Sequence, residues 1–174
     1  MPDWLPAMAS VNPWTGDTYK MLYGIFCRDI RDGNLQYAGH DVWIFSEKEE
    51  GKEKIFWHLT SRYHKTERIP RRKRKFYSAQ HEDSKQERLP DPRRCERLPW
   101  VKPLIEHPTE PEVLTWDYEE GDKTIKTYVW IKNSDFVVIM KKFPDNTRRL
   151  ITSFYVDNTY KRNDFDKKYK NRII

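Results

Sequence analysis

His58, the arginines Arg94 and Arg97, and the run Thr152-Ser153-Phe154-Tyr155 are the residues whose types and spacing suit proton transfer and anion binding. An imidazole exchanges a proton near neutral pH as base or acid, and each such transfer is worth about 10²–10⁴-fold in rate. Guanidinium groups three residues apart can each hold two oxygens of an anion. In a strand, side chains alternate, so Ser153 and Tyr155 share one face and Thr152 and Phe154 the other. Ser153 with Tyr155 is the better polar–aromatic pair. Each group also has a plainer reading: His58 flanking Trp57 at the edge of a core, an arginine paired with Glu96, and Thr152 and Phe154 turned inward. His40, His64, His81 and His107 show no HxxxH or HExxH spacing, so no metal site is read from them.

Lys and Arg number 33 against 27 Asp and Glu, and the excess sits between residues 62 and 102. Arg71, Arg72, Lys73, Arg74 and Lys75 form its densest run, with Phe76 and Tyr77 directly behind and Arg62 upstream. Consecutive cations ending in aromatics fit a segment that follows a nucleic-acid backbone and stacks a base at its end. A solvated loop is the simpler alternative. Cys27 and Cys95 match no metal or redox spacing and are expected as reduced thiols, one of them buried. No Walker loop, GxGxxG or GxSxG is present, which argues against an NTPase, a dinucleotide enzyme or an α/β-hydrolase.

The elements that must position these groups describe an α+β chain. Tyr23–Ile30 and Leu35–Ser46 are rich in β-formers around Arg31-Asp32-Gly33-Asn34, which predicts an N-terminal β-hairpin. With the Trp4 and Trp14 arm it makes a unit over 1–50. Ile55, Phe56 and Leu59 predict a short helix over 54–62, with His58 and Arg62 on one side, although so short an apolar run also permits a strand. Residues 63–92 read as a basic loop, and prolines limit any helix over 93–105 to short, broken pieces. Runs at 113–118, 125–132, 136–143 and 150–156, separated by short turns, predict a four-stranded antiparallel meander. A C-terminal helix capped by Asp157 or Asn158 follows. Residues 51–174 thus form the main domain. No stretch of about 18 apolar residues and no signal-peptide pattern is present, so the chain is expected in the cytoplasm, off the membrane.

Four segments carry a family resemblance: Ile55-Phe56-Trp57-His58-Leu59, Pro92-Arg93-Arg94-Cys95-Glu96-Arg97-Leu98-Pro99-Trp100, Tyr128-Val129-Trp130 and Leu150-Ile151-Thr152-Ser153-Phe154-Tyr155-Val156. Together they resemble the BECR superfamily of barnase, EndoU, colicin-type and RelE-like nucleases, in its phage-encoded branch. The resemblance implies a toxin-like ribonuclease that needs no metal or cofactor. In it a histidine on the first helix, basic residues and a Ser/Thr–aromatic pair on a late strand converge. It implies RNA as partner, with tRNA the first candidate, an inhibitor or immunity protein as a second partner, and the host cytoplasm as location. Which of Thr152 and Ser153 takes the hydroxyl role stays open at this level.

Neutralising Lys73 with its basic neighbours is expected to weaken RNA binding and flatten its salt dependence without changing the fold, since the slope of log K against log salt counts neutralised phosphates. An unchanged slope in a binding titration would make the run a solvated insert.

Overall fold

The computed structural model describes residues 2–63 and 88–174. Arg71 to Lys75 and Tyr77 lie outside these residues, as do His64 and His81.

Thr18–Phe26 forms helix α1, extended by a π turn over Cys27–Arg31. This corrects the hairpin expected over Tyr23–Ile30 and Leu35–Ser46. Leu22, Phe26 and Ile30 stand four apart and are all buried, a helical repeat whose burial outweighs a β preference worth about 1 kcal/mol at most. Phe26 and Tyr23 both pack edge-on to Phe56, at ring distances of 5.5 and 5.2 Å. Asp32-Gly33 therefore ends a helix and turns no hairpin. The Asp32 N–H donates to the Cys27 carbonyl at 2.9 Å, and a Cβ on Gly33 would stand 2.1 Å from the Asp29 carbonyl oxygen. The hairpin that does form is smaller and later. It joins β1 (Gln36–Tyr37) to β2 (His40–Trp43) through Ala38-Gly39, both with positive φ, 48° and 81°, as a two-residue turn matched to strand twist requires.

A short hairpin, β3 (Lys48–Glu49) with β4 (Lys52–Glu53), leads into α2 (Lys54–Thr60), which buries Ile55, Phe56 and Leu59. The helix stops two residues before Arg62. The Thr60 hydroxyl donates to the Phe56 carbonyl at 2.9 Å and the Ser61 hydroxyl to the Trp57 carbonyl at 2.6 Å, so side chains occupy the carbonyls that further turns would use. Arg62 lies instead in β5 (Ser61–Tyr63), paired with β6 (Arg88–Pro90). The expected helical pairing of His58 with Arg62 is thereby corrected.

Beyond β6 the chain makes α3 (Pro92–Glu96), a 3₁₀ turn over Leu98–Trp100 and α4 (Val101–Glu106). Four longer strands follow: β7 (Val113–Glu119), β8 (Ile125–Ile131), β9 (Phe136–Lys142) and β10 (Arg148–Tyr155). They pair antiparallel in sequence order but form only part of a mixed, six-stranded sheet, β1-β2-β10-β9-β8-β7. Its parallel pair sets Arg148 and Arg149 of β10 beside Val42 and Trp43 of β2.

The sheet is covered on both faces. Against one face Leu22, Phe26, Phe56 and Leu104 pack with Val129, Val138 and Met140. On the other, Phe165 of α5 (Thr159–Lys170) closes over Trp116, Tyr128 and Trp130. Asn158 caps α5, its side-chain oxygen accepting from the Lys161 N–H at 2.8 Å. The N-terminal arm is held by Trp4 against His107 at 5.2 Å and by the Trp100 indole N–H donating to the Pro6 carbonyl at 2.9 Å. Both cysteines are free thiols. Cys95 is buried, donates to the Thr60 carbonyl at 3.1 Å, and is pushed up to about 12 by that burial, so it joins α3 to α2 and stays protonated. Among the described residues no helix is long and apolar enough to cross a membrane.

Gly33→Ala is expected to cost more than about 1 kcal/mol in chemical denaturation, because its methyl would overlap a backbone carbonyl that cannot move away. A variant as stable as the parent would mean that this helix end is built differently.

Candidate functional site

The site is organised along β10. Between Leu150 and Thr152 its pairing with β9 slips by one residue, leaving Ile151 as a bulge. A bulge inserts one residue into one strand and so inverts the alternation beyond it. Leu150 and Met140 face the helices α1–α4, and after the bulge Ser153 and Tyr155, opposite Val138 and Phe136, face that side too. Thr152 and Phe154, opposite Ile139 and Val137, turn toward α5. From Leu150 onward no other strand pairs with the second edge of β10 among the described residues, and α2 and α3 flank it.

Asp91 brings the arginines to that edge. One of its carboxylate oxygens caps α3, accepting from the Arg93 and Arg94 N–H groups at 3.1 and 3.4 Å. The other lies 3.5 Å from Arg62 and 3.6 Å from Arg94. An Asp followed by Pro at the first helical position is a start signal that can be read in sequence. With α3 so anchored, the Arg93 and Arg97 guanidinium groups sit 4.7 and 4.8 Å from the centre of the Tyr155 ring. Arg62, Asp91, Arg93, Tyr155 and Asp157 line a cavity of about 340 Å³. Burial works against the Asp157 carboxylate, but Lys161 together with hydrogen bonds from the backbone and Asn158 holds the group below its ordinary value. Among the described residues Arg93 has no carboxylate within ion-pair distance, while Arg97 reaches Glu96 at 3.4 Å.

Arg94 connects this cavity to His58. It donates to the His58 carbonyl at 2.6 Å and its guanidinium lies 5.6 Å from the Phe154 ring centre. The His58 imidazole itself lines a different cavity, of about 280 Å³, with Lys54, Phe45, Arg149 and Ile151. The histidine is exposed on α2. Partial desolvation, with Arg88 and Arg94 nearby, lowers its pKa from the ordinary value, so the imidazole is neutral at pH 7 and free to accept a proton.

No family model, curated protein or solved structure matches this chain.

Of the residues singled out in the sequence, Arg62, Arg94, Arg97 and Tyr155 come together, and His58 meets them only through its backbone carbonyl. Ser153 shares the Tyr155 face, but its hydroxyl is buried and unpaired among the described residues; Thr152 is half-exposed. Arg93, Asp91 and Asp157 complete the first cavity and Arg149 the second; in the sequence Arg93 stood only within the family segment and Asp157 only as a helix cap. The Asp-Pro helix start marked Asp91. Arg149 carried no local signal, because its place depends on the parallel contact with β2. Among the described residues no group of three or more His, Cys, Asp or Glu side chains can hold a metal ion.

The His58 imidazole is expected to titrate below the ordinary 6.5 in an NMR pH series, and Arg88→Ala or Arg94→Ala to raise its midpoint. A depressed folded pKa means that this histidine's contribution to stability is complete above the unfolded value and is lost as pH falls through the folded one. A midpoint at or above 6.5 would contradict the placement of these two cations.

Proposed function

We propose that the chain is a metal-independent endoribonuclease of the phage BECR type that cleaves host RNA, with tRNA the first candidate target. RNA carries its own nucleophile in the 2′-OH. Cleavage then needs a group to take that proton, an acid for the departing 5′-oxygen, and positive charge around the phosphorane, and the product is a cyclic phosphate. The observation that carries the reading is Tyr155 with the Arg93 and Arg97 guanidinium groups 4.7 and 4.8 Å from its ring centre, on a cavity also lined by Arg62. An aromatic face with surrounding arginines is how unpaired RNA is gripped. His58, neutral and exposed, has the protonation state of a base. Arg94 would keep it in register with the phosphate cradle, while Thr152, on the opposite face of β10, and Ser153, buried, take no part in the proposed reaction.

One observation favours a second reading, an RNA-binding protein of the same fold without chemistry. His58 and Tyr155 line different cavities, so one phosphate need not meet both.

Purified protein incubated with total RNA in EDTA separates the readings. Persistent cleavage leaving cyclic phosphate ends is expected; intact RNA would favour the binding protein, and cleavage stopped by EDTA would point to a metal nuclease. His58→Ala is expected to lower cleavage by at least about 10²-fold with RNA affinity unchanged, because a proton-transfer group acts on the transition state. Its melting temperature should hold, the side chain being exposed. A stable His58→Ala protein of full activity would remove His58 from the mechanism.

A further inference from the structure

Three aromatic side chains stand outside both core clusters at the junction of β2 and β10: Trp43, Phe45 and Phe143. Trp43 is 38% and Phe45 52% exposed. The Trp43 ring lies 5.5 Å from Phe45, edge to face, and 5.4 Å from Phe143 at a tilt of 33°. Contiguous exposed rings forgo burial, and on a protein surface such patches mark a binding site. Here the patch is cationic. The Arg149 guanidinium stands 4.1 Å from the Phe45 ring centre and 5.7 Å from that of Trp43, and Lys141 lies 5.4 Å from that of Phe143. Arg149 is partly exposed, and among the described residues it has no carboxylate within ion-pair distance and no side-chain hydrogen bond, so its N–H donors are uncommitted. Glu47, the acid of the adjoining cavity, is taken up by Lys54 at 2.5 Å. Phe45 and Arg149 also line the cavity that holds His58.

We propose that Trp43, Phe45 and Arg149 form a stacking site for one unpaired RNA base, with Arg149 also binding an adjoining phosphate, so that the strand runs from this platform past His58. The site deepens the endoribonuclease reading and rests on its RNA-binding part. Charge complementarity selects the occupant. An apolar protein surface would leave the Arg149 donors unsatisfied, whereas a nucleotide offers a π face to the rings and an anion to the guanidinium. Because every base has a π face, the site selects for single-stranded RNA more than for sequence.

The test is fluorescence anisotropy of the full chain with a short 2′-O-methyl oligoribonucleotide, which cannot supply the cleaving hydroxyl, and with an abasic oligonucleotide of the same length. Phe45→Ala and Trp43→Ala are each expected to weaken binding of the base-containing strand by about 5- to 100-fold and to leave the abasic strand's affinity unchanged. Trp43→Phe, which keeps a ring, should bind as the parent does. Arg149→Ala should weaken both strands and lower the salt slope by about 0.7, the single-strand value for one phosphate. Both alanine variants should keep the parental melting temperature, since these rings are outside the core. Parental affinity in both, with the parent binding RNA, overturns the stacking site and leaves the endoribonuclease reading standing. No binding by the parent overturns both. A parent that elutes as a dimer and a Phe45→Ala variant that elutes as a monomer would assign the patch to self-association and overturn the base site.

Discussion

The Asp91 carboxylate is the contact on which the candidate site depends. It is buried, and its two oxygens are used differently: one satisfies the first N–H groups of α3, the other faces two guanidinium groups. Its own N–H donates to the Thr60 carbonyl at 2.9 Å, so the end of α2, the start of α3 and the strand carrying Arg62 meet at one residue. Arg62, Arg93, Arg94 and Arg97 would repel one another at such close quarters without an acid among them. A buried carboxylate that is both hydrogen-bonded and paired is a tolerable interior charge, whereas an unpaired one is not.

A second polar knot, in the sheet, sets the start of β10. Arg148 is buried, donates to the Thr127 hydroxyl at 2.9 Å and stacks over Tyr37 at 4.2 Å. Thr127 in turn donates to Asp117 at 2.6 Å, and Lys142 reaches the other Asp117 oxygen at 2.8 Å. This chain of contacts crosses β7, β8, β9 and β10 and ends on β1, so the buried guanidinium is satisfied only in one register. Register matters here because a slip of one residue would exchange the two faces of β10.

The consequence for chemistry is a site divided along one strand. Tyr155, Arg62 and Arg93 line one cavity, His58 and Arg149 the other, and Arg94 joins them, reaching Asp91 on one side and the His58 carbonyl on the other. A small substrate would engage one cavity alone. A polymer with alternating anionic and aromatic groups could engage both, as the RNA-directed activity proposed above would require.

Local chemistry in the sequence was enough for the α+β class, the strand-forming runs between 113 and 156, the short, broken character of any helix over 93–105, and two free thiols of which one is buried, though not for which of the two it is. Alternation, proline placement and helix caps act over a few residues and can be read directly. The hairpin expected over 23–46 was misread for the same reason in reverse: β-forming side chains carry a weak preference, and the burial of Leu22, Phe26 and Ile30 against Phe56 is a tertiary gain that no local pattern states. Which hydroxyl of Thr152 and Ser153 meets solvent was decided by the bulge at Ile151, and the place of Arg149 beside Trp43 and Phe45 by the parallel pairing of β2 with β10. Both depend on partners more than a hundred positions away or on a neighbouring strand's register. Residue types therefore told what chemistry was available, and only the folded sheet decided which of those groups face one another.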